Sequence, residues 1–437
     1  MHTVNYSIAA LLGDGISFVS GDEAYARRAF GHPVPFEEFA FLSKAVKRVG
    51  VSKRFRHAVD LFKTPEGETP AGFSVDYSLR DGGLLEIDLV RNISYGKNGV
   101  KRPTKFLFSA DTANPYELAP IKDLVANLTC NPGIIYDLFI NNEKANVGHK
   151  FKTRNEVMKE IGSILGPGCD ISVEVNDPFA DFNKILDEAA EFREMLSEYR
   201  VVIKVPHTGP VNQENAGQLL KGDKRLSTRY NKGKTADYLY GHNLALRLKE
   251  HGYRVNYTLM FEPWQTGMAL QAQPYFINSF VRQRFLVTTY INGLLEAYQK
   301  TYDERFLQNL RTFFIEWDFL SSEDANADLR LVEKMARETI EYRKINEREG
   351  FDGLDGVRHN LRMLRHANLP DTRLIVCSID GSRMYPELDK LMAEPEFNDM
   401  TDRIVITTEP GYLAEFTSTP QIITYQRRFL NATQGQA

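Results

Sequence analysis

The stretch CDISVEVNDPFADFNKILDEAAEFREMLSEYRVVIKVP, residues 169–206, has the pattern of a strand, a helix and a second strand. Both ends are short apolar runs rich in β-branched residues, and the middle is an amphipathic stretch of helical length. Two parallel strands need a crossover of this size between them. Because the strand-like runs are nearly all apolar, we expect a parallel sheet that is buried on both faces.

The same strand pattern begins near residue 105 and occurs eight times along the chain. A doubly wound open sheet more often has five or six strands and a glycine-rich first turn, and no GxGxxG or GxxxxGK[ST] motif follows any of these runs. Eight βα units close a barrel, so we predict an α/β protein with a (β/α)8 TIM barrel. The runs are KFLFSAD (105–111), ANLTCN (126–131), CDISVEV (169–175), RVVIKVP (200–206), YRVNYTLMF (253–261), PYFINSFV (274–281), TRLIVCSI (372–379) and DRIVITT (402–408).

The barrel is expected over residues 104–420, after an N-terminal extension of unknown function over 1–103 and before a C-terminal tail over 421–437. Two intervals are too long for simple connections: residues 207–252 after the fourth strand and residues 282–371 after the sixth. We predict helical insertions there. The spacing of apolar residues in the second favours extra helices packed on the barrel over a separate binding module.

Composition narrows the class of function. The chain has 437 residues, of which 42% are hydrophobic and 26% charged, as in an ordinary globular protein. Its formal net charge of -4 and its pI near 6.2 give no electrostatic reason to expect nucleic acid or an anionic membrane as partner. Small-molecule chemistry is the better expectation.

Three cysteines occur, Cys130, Cys169 and Cys377, without a CxxC pair or a histidine cluster. Neither a disulfide framework nor a metal site is therefore predicted. The first residues, MHTVNYSIAALLGDGISFV, lack the basic leader and cleavage site of a signal peptide, and no run approaches the roughly 20 apolar residues of a membrane helix. We expect a cytoplasmic protein.

Catalytic groups of such barrels come from the carboxyl ends of the strands, so polar residues late in apolar strands are the candidates for a site. Residues two apart share a face of a strand, which lets Thr129 face inward with Asn131, and Asn256 with Thr258. The candidates are Asp111 on the first strand, Thr129 and Asn131 on the second, Glu174 on the third, Lys204 on the fourth, Asn256 and Thr258 on the fifth, Asn278 and Ser279 on the sixth, and Ser378 on the seventh.

Lys204 is the most informative of these residues because it lies between apolar neighbours in VVIKVP. Burial disfavours an ammonium ion, so we expect a lowered pKa for Lys204. A neutral amine attacks a carbonyl to form an imine, which then accepts electrons as a neighbouring carbon–carbon bond breaks. The alternative is a lysine that pairs with Asp111 or Glu174 only to complete the core, or one that extends to solvent.

Imine chemistry also needs proton transfer and a positioned water. Asp111 and Glu174 can supply a carboxylate base, and Thr258 can position the water. The number of polar residues at matching strand ends favours catalysis over the structural alternative. Chemistry of this kind needs neither a metal nor an organic cofactor, so we predict none.

These segments resemble the transaldolase family, in the same order along the chain and roughly over residues 104–420. FSADTANP is similar to the family's first-strand Asp motif, LTCNPGII to its TTNPSLI signature, and ISVEV to the strand with its catalytic Glu. IKVPHTG resembles the motif of the Schiff-base lysine, VNYTLMF resembles NVTLVFS, INSFV resembles SPFVGR, and VCSIDGS resembles ASFRN.

The resemblance implies a role for each matching residue. Lys204 would carry a dihydroxyacetone unit, and Asp111 would handle the proton of the hydroxyl released in cleavage. Glu174 and Thr258 would hold and activate the water. Asn131 and Asn256 would form hydrogen bonds with the hydroxyls of the donor. Together with further candidates at the strand ends they give the predicted substrate-binding set: Asn131, Thr129, Asn256, Asn278, Ser279, Phe280, Ser378 and Arg284. Glu174 and Phe280 are similar to transaldolases proper, since the related fructose 6-phosphate aldolases tend to have Gln and Tyr there.

Two positions depart from the family pattern, and both concern arginines that normally hold the substrate phosphate. In INSFVRQRF the family's sixth-strand Arg falls on Gln283, or on Arg284 if one residue is inserted; its seventh-strand Arg falls on Asp380. A carboxylate repels a dianion, so a standard sugar phosphate is open to question. A basic loop after the fourth strand could supply contacts or be a solvated loop: Lys221, Lys224, Arg225, Arg229, Lys232 and Lys234. Arg282, Arg284 and Arg383 are further candidates.

The leading hypothesis is a transaldolase-like enzyme that transfers a dihydroxyacetone unit between sugars or sugar phosphates. A Schiff-base aldolase that acts on a non-standard, unphosphorylated substrate would use the same residues. The third hypothesis, from another class, is a non-catalytic sugar-binding protein on the same barrel. The expected partner is a small sugar or sugar phosphate rather than nucleic acid or a membrane, and the oligomeric state stays open, a homodimer included.

Overall fold

A computed structural model describes residues 5–13, 15–70, 72–96, 99–196, 201–226, 233–343, 353–379, 381–408, 410–411 and 419–434. The chain begins with a small unit that has its own sheet and core. Its strands are β1 (Asn5–Ser7), β2 (Ser17–Phe18), β3 (Pro33–Pro35), β4 (Arg48–Val51), β5 (Phe73–Arg80) and β6 (Leu84–Arg91). Its helices are α1 (Glu23–Ala26), α2 (Phe36–Ala45) and α3 (Lys53–Leu61).

The sheet of this N-terminal unit has the order β2-β4-β6-β5, and β1 pairs with β3 separately. In β6 every second residue is buried, and Leu85, Ile87 and Leu89 form its core face. The helix α3 begins at a capping serine, because the Ser52 side chain accepts a hydrogen bond from the Phe55 amide. Alternation and capping thus give this unit a core separate from that of the barrel.

Eight parallel strands then form a closed barrel. They are β7 (Leu107–Asp111), β8 (Val125–Cys130), β9 (Asp170–Glu174), β10 (Val201–Pro206), β11 (Val255–Met260), β12 (Phe276–Phe280), β13 (Arg373–Cys377) and β14 (Ile404–Thr408). Each strand pairs with its neighbours in chain order, and β14 pairs with β7. The predicted (β/α)8 TIM barrel is confirmed, and each of the eight predicted runs coincides with one of its strands to within a few residues.

Helices surround the barrel and fill the long intervals. They are α4 (Pro115–Leu118), α5 (Pro132–Ile135), α6 (Arg154–Leu165), α7 (Phe182–Leu196), α8 (Thr235–Glu250), α9 (Gln265–Gln271), α10 (Arg282–Thr301), α11 (Arg305–Glu316), α12 (Leu329–Arg343), α13 (Asp355–His366), α14 (Gly381–Ala393) and α15 (Thr419–Thr433). The interval after β10 contains a loop and then α8. The interval after β12 contains α10 to α13, and α10, α11 and α12 share a core that includes Ile291, Leu310 and Phe314.

The N-terminal unit closes the end of the barrel at which the strands begin. Ile93, just after β6, is fully buried and packs with lumen residues that include Val202, Phe276 and Val405. Arg91 Nη1 lies 2.6 Å from Asp170 Oδ1 at the start of β9. These contacts leave the opposite end, where the strands finish, as the accessible mouth of the barrel.

Two further features lie outside the barrel. The helix α15 is exposed along its whole length, including the apolar side chains of Ile422, Ile423, Tyr425, Phe429 and Leu430. Within the ranges given above, no helix has the length and apolar character needed to cross a membrane.

Candidate active site

The barrel brings polar side chains from several strands to the mouth of its lumen. Strand register sets this arrangement: Lys204 on β10 lies beside Glu174 on β9 and Asn256 on β11. On the other side of the lumen, Asp111 on β7 lies beside Thr129 on β8. Side chains in neighbouring strands at the same level and on the same face are within reach of each other.

Lys204 and Glu174 form a buried ion pair. Lys204 Nζ lies 3.2 Å from Glu174 Oε2, and only 4% of the Lys204 surface is exposed. A buried ammonium needs such a partner, because its transfer from water is otherwise strongly unfavourable. The ion pair of Lys204 with Glu174, one of the two partners considered from the sequence, is therefore present. It lies at the mouth of the barrel, where a ligand would enter.

The predicted direction of the Lys204 pKa shift is wrong. Burial acts to lower the pKa of Lys204, but the carboxylates of Glu174 and Asp111 raise it by more, and the net shift is upward. Desolvation and opposite charge compete at a buried lysine, and here the two negative charges outweigh desolvation. A raised pKa favours the ammonium form of Lys204, so the lysine must lose a proton before it can react as an amine.

A cavity of about 140 Å³ lies above Lys204. This volume is below the range of pockets for drug-sized ligands and suits a ligand of a few carbon atoms. Its lining comprises Asp111, Thr129, Asn131, Lys204, Asn278, Phe280, Arg282, Cys377, Ser378, Ile379 and Thr407. The cavity thus joins residues from β7, β8, β10, β12, β13 and β14.

Several buried polar atoms in this part of the lumen have no hydrogen-bond partner among the described residues. They are Thr129 Oγ1, both amide atoms of Asn256, Asn278 Oδ1 and Thr407 Oγ1. Asn278 Nδ2 does donate to Thr258 Oγ1, at 3.2 Å, which fixes the orientation of these two side chains. Buried polar groups are nearly always satisfied, so such a group of exceptions is available to a polar ligand or to water.

One level deeper, a chain of three polar side chains supports the site. Asn127 Nδ2 donates to Ser109 Oγ at 2.7 Å, and Ser172 Oγ donates to Asn127 Oδ1 at 3.1 Å. These residues precede Asp111, Thr129 and Glu174 by two positions and therefore share their face of β7, β8 and β9. This network was not predicted from the sequence, although the alternation of inward-facing residues along each strand could have identified it.

The remaining predicted residues of the cavity have local structural roles. Asn131 caps α5, since its Oδ1 accepts from the Ile134 amide at 2.9 Å, so its side-chain amide is the part left for a ligand. Ser378 has a positive φ of 53°, an unusual conformation that ends β13 abruptly at the cavity. The Phe280 ring lies 4.8 Å from that of Phe261.

Two predicted substrate-binding residues need correction. Ser279 follows the inward-facing Asn278 and so faces the helix layer, where its hydroxyl lies 3.2 Å from the Asn360 amide. Arg284 is buried in ion pairs, with Nη1 2.5 Å from Glu262 and Nη2 2.7 Å from Asp355. Neither residue lines the cavity, and the Arg284 guanidinium is already neutralised by two carboxylates.

Of the arginines whose side chains the structure describes, Arg282 does line the cavity. It begins α10, its side chain is exposed, and no ion pair joins it to any described residue. In the basic loop, Arg225 lies 3.8 Å from Asp318. The described members of this loop do not line the cavity: Lys221, Lys224, Arg225 and Lys234. Arg229, Lys232, Asp380 and the side chain of Arg383 lie outside the described residues.

The thiols of the site are unreactive in this setting. All three cysteines are buried, and none of them forms a disulfide. Burial raises the pKa of Cys130 to about 12 and also raises the pKa of Cys377, which lines the cavity. Thiolates are the form that attacks or binds metal, so neither thiol is a nucleophile at neutral pH. No group of three or more His, Cys, Asp or Glu side chains in the described part of the chain could hold a metal ion.

Several residues that line the cavity were not predicted from the sequence, or were predicted only as further candidates. Thr407, Cys377 and Ile379 were not among the candidates, and Arg282 was named without a rank. Thr407 is two positions after the lumen residue Val405 on an apolar strand, so alternation along β14 was the signal that could have identified it.

The family model described as Transaldolase/Fructose-6-phosphate aldolase matches residues 108–312. No curated protein sequence matches the chain. The matched range contains Asp111, Glu174, Lys204 and Thr258, whereas the cavity residues of β13 and β14 lie beyond it.

Proposed function

Residues 108–312 belong to the transaldolase/fructose-6-phosphate aldolase family, and from this we propose that the chain is a transferase that moves a dihydroxyacetone unit between sugars through an imine at Lys204. The observation that carries the proposal is the buried Lys204–Glu174 pair at the mouth of the barrel, 3.2 Å apart. A carboxylate at this distance can take the proton that the ammonium must lose before it attacks a carbonyl.

The proposed reaction begins with the neutral Lys204 amine, which adds to the ketone carbon of the donor. The carbinolamine loses water to give the imine, and Glu174 with Thr258 positions that water and moves its protons. Asp111 removes the proton from the hydroxyl on the carbon that becomes the aldehyde when the carbon–carbon bond breaks. The bonding electrons pass into the protonated imine, an aldehyde leaves, and an enamine remains on Lys204.

In the second half, the enamine carbon attacks the aldehyde of an acceptor sugar, which takes back a proton from Asp111. Water then hydrolyses the new imine and releases the product ketose and the free lysine. The unsatisfied amide atoms of Asn256 and Asn278 support this proposal, because hydroxyls of a sugar would pair with them. The amide of Asn131 and the hydroxyl of Thr129 would act in the same way.

The covalent step has a direct test. Incubation with dihydroxyacetone followed by borohydride should add one reduced three-carbon unit to the wild-type mass, and peptide mapping should place it on Lys204. Lys204→Ala should form no adduct, while Lys249→Ala, a lysine at the other end of the barrel, should react as wild type does. An adduct that persists undiminished in Lys204→Ala, or its absence from the wild type, would contradict the proposal.

Simple aldol cleavage without transfer is the second candidate, because the enamine can be protonated instead of attacking an acceptor. Product analysis from a ketose donor with and without an added acceptor aldehyde separates the two. Transfer predicts that ketose turnover rises with acceptor concentration and that a new ketose appears. The third candidate, a sugar-binding protein without catalysis, would bind donor and form no trapped adduct.

We also propose the substrate class and cellular setting. Among the side chains that the structure describes, Arg282 is the one arginine that lines the cavity. This favours a sugar with at most one anionic group near the rim, either one phosphate or none. The three cysteines form no disulfide, which favours a reducing, cytoplasmic setting.

A further inference from the structure

The wall of the cavity opposite Lys204 is formed by β14, the last strand of the barrel. In the closed order of strands, β14 is four positions from β10 in either direction. Side chains of β14 that face the lumen therefore lie across from the lysine. The cavity lined by Lys204 extends to this wall, because it is also lined by a residue of β14.

Alternation along β14 identifies which side chain faces the lumen. Val405 packs in the lumen cluster with Ile93 and Leu107, whereas Ile406 packs in the core between strands and helices. Thr407 therefore shares the inward face with Val405, and it lines the cavity together with Lys204.

The hydroxyl of Thr407 is buried and has no protein partner among the described residues. Only 2% of Thr407 is exposed, and its Oγ1 makes no hydrogen bond in that part of the chain. The neighbouring hydroxyl of Ser109, which is in register with Thr407, already accepts from Asn127. On this side of the cavity Phe280, Cys377 and Ile379 provide apolar surface, so a polar ligand needs an accessible polar group there.

We propose that Thr407 is a substrate-binding residue whose hydroxyl forms a hydrogen bond with a hydroxyl of the three-carbon unit held on Lys204. This inference rests on the proposed function and adds to it a contact from the eighth strand. A buried threonine hydroxyl can both donate and accept, which suits a polyhydroxylated ligand. A ligand without a hydroxyl at this point would leave Thr407 unsatisfied, so the residue selects for hydroxylated donors.

The test compares three forms of the full-length protein. The dihydroxyacetone concentration that gives half-maximal borohydride-trapped adduct is measured for wild type, Thr407→Val and Thr407→Ser. Valine keeps the shape and removes the hydroxyl, so we expect a half-saturating concentration about tenfold higher, the effect of one lost buried hydrogen bond. Serine keeps the hydroxyl and should restore a value close to wild type, with the same amount of adduct at saturation.

A matched control separates binding from stability. Thr339→Val removes another buried threonine hydroxyl, on α12, which bonds Met335 O within its own helix. It should leave the half-saturating concentration unchanged. If Thr407→Val does not fold, Thr407→Ala serves the same comparison with serine.

The outcomes are distinguishable. An unchanged half-saturating concentration in a folded Thr407→Val or Thr407→Ala overturns the role of Thr407 and leaves the lysine chemistry intact. The same is true if serine behaves as valine does. Absence of any adduct in wild type overturns the proposed function, and this inference with it.

Discussion

Lys204 is held as one member of an ion pair, and the pairing controls when its amine can react. Its pKa is raised because the carboxylates of Glu174 and Asp111 outweigh the effect of burial. The fraction of neutral amine is therefore small at neutral pH and grows as the pH rises. Reaction at neutral pH depends on a carboxylate that accepts the proton locally, as Glu174 at 3.2 Å can.

Glu174→Gln should shift the pH dependence of adduct formation. The substitution removes a negative charge that raises the pKa of Lys204, so the pKa falls and the neutral amine is populated at lower pH. We expect the alkaline rise in the rate of borohydride-trapped adduct to move to lower pH, while the maximal rate falls because the proton acceptor is lost. The measurement is the trapping rate of wild type and variant across the pH range in which both stay folded.

Glu188→Gln is the matched control for this experiment. Glu188 is also a half-buried carboxylate in an ion pair, 2.5 Å from Arg154, but it lies on α7 outside the lumen. Its substitution should leave the pH dependence in place. A Glu174→Gln profile that stays unshifted, or that moves to higher pH, would show that Glu174 does not set the pKa of Lys204.

The sequence predicts which residues lie at the site better than it predicts their pKa values or the directions of their side chains. Lys204, Asp111, Thr129 and Asn278 line one cavity because strand ends in a parallel barrel meet at one mouth. The sign of the Lys204 pKa shift depends on the distance to two carboxylates, which spacing along the chain does not give. Ser279 was included because a pair of adjacent polar residues does not show which of the two faces inward.

Among the elements, α10 is held to the barrel by an ion-pair network around Arg284. Arg284 contacts Glu262, after β11, and Asp355, at the start of α13. Arg343, at the end of α12, lies 2.9 Å from the same Glu262. The network therefore ties both ends of the helical insertion to the loop that follows a barrel strand.

Arg284→Met should destabilise the protein strongly without changing substrate preference. Removal of one partner from a buried ion pair leaves uncompensated charge, here on Asp355, whereas Glu262 keeps its pair with Arg343. The expected cost is about 3 kcal/mol, the lower end for a broken buried pair. We expect a large fall in melting temperature. Any loss of activity should be equal for a phosphorylated and an unphosphorylated ketose, because Arg284 does not line the cavity.

Two variants calibrate this prediction. Arg337→Ala removes an exposed i,i+4 pair with Glu333 on α12 and should cost only about 0.3–0.5 kcal/mol. Arg282→Ala should keep the melting temperature of the wild type. If the substrate carries a phosphate, this variant should bind the phosphorylated ketose more weakly and the unphosphorylated ketose as well as wild type does. A selective loss of phosphorylated substrate in Arg284→Met would return Arg284 to the substrate-binding set.

The sequence predicted the barrel elements well for a physical reason. Strands buried on both faces, such as β8 and β10, are mostly apolar runs, and these stand out against amphipathic helices. The departures arise where distant parts of the chain meet. The ion pair of Arg284 with Asp355 joins residues 71 positions apart, and no local pattern reveals such a partner.

In the whole molecule, the two ends of the barrel differ in what covers them. The N-terminal unit covers the end where the strands begin, and the candidate site occupies the end where they finish, as barrels with stability and function at opposite faces do. We propose that residues 1–103 act as a structural cap of the barrel over 104–420. The helix α15, part of the predicted tail, makes no comparable contribution to the core, since its side chains are exposed.

Arg91→Met tests whether this cap stabilises the barrel. Arg91 is 4% exposed, pairs with Asp170 at 2.6 Å and donates to Tyr95 O, while Tyr275 Oη donates to the Arg91 carbonyl at 3.3 Å. Arg254 still contacts Asp170 at 3.3 Å after the substitution, so the expected loss is about 3 kcal/mol, the lower end for a broken buried pair.

Two measurements on Arg91→Met follow from this argument. Its melting temperature should fall by several degrees, and limited proteolysis should release the N-terminal unit faster than in wild type, because the joint opens more often. Arg80→Ala removes an exposed pair with Glu86 in the same unit and should change neither measurement. The Lys204 adduct should still form in Arg91→Met below its melting temperature, since the joint and the cavity lie at opposite ends of the strands. Stability and proteolysis equal to wild type would mean that the cap is held by apolar contacts around Ile93 alone.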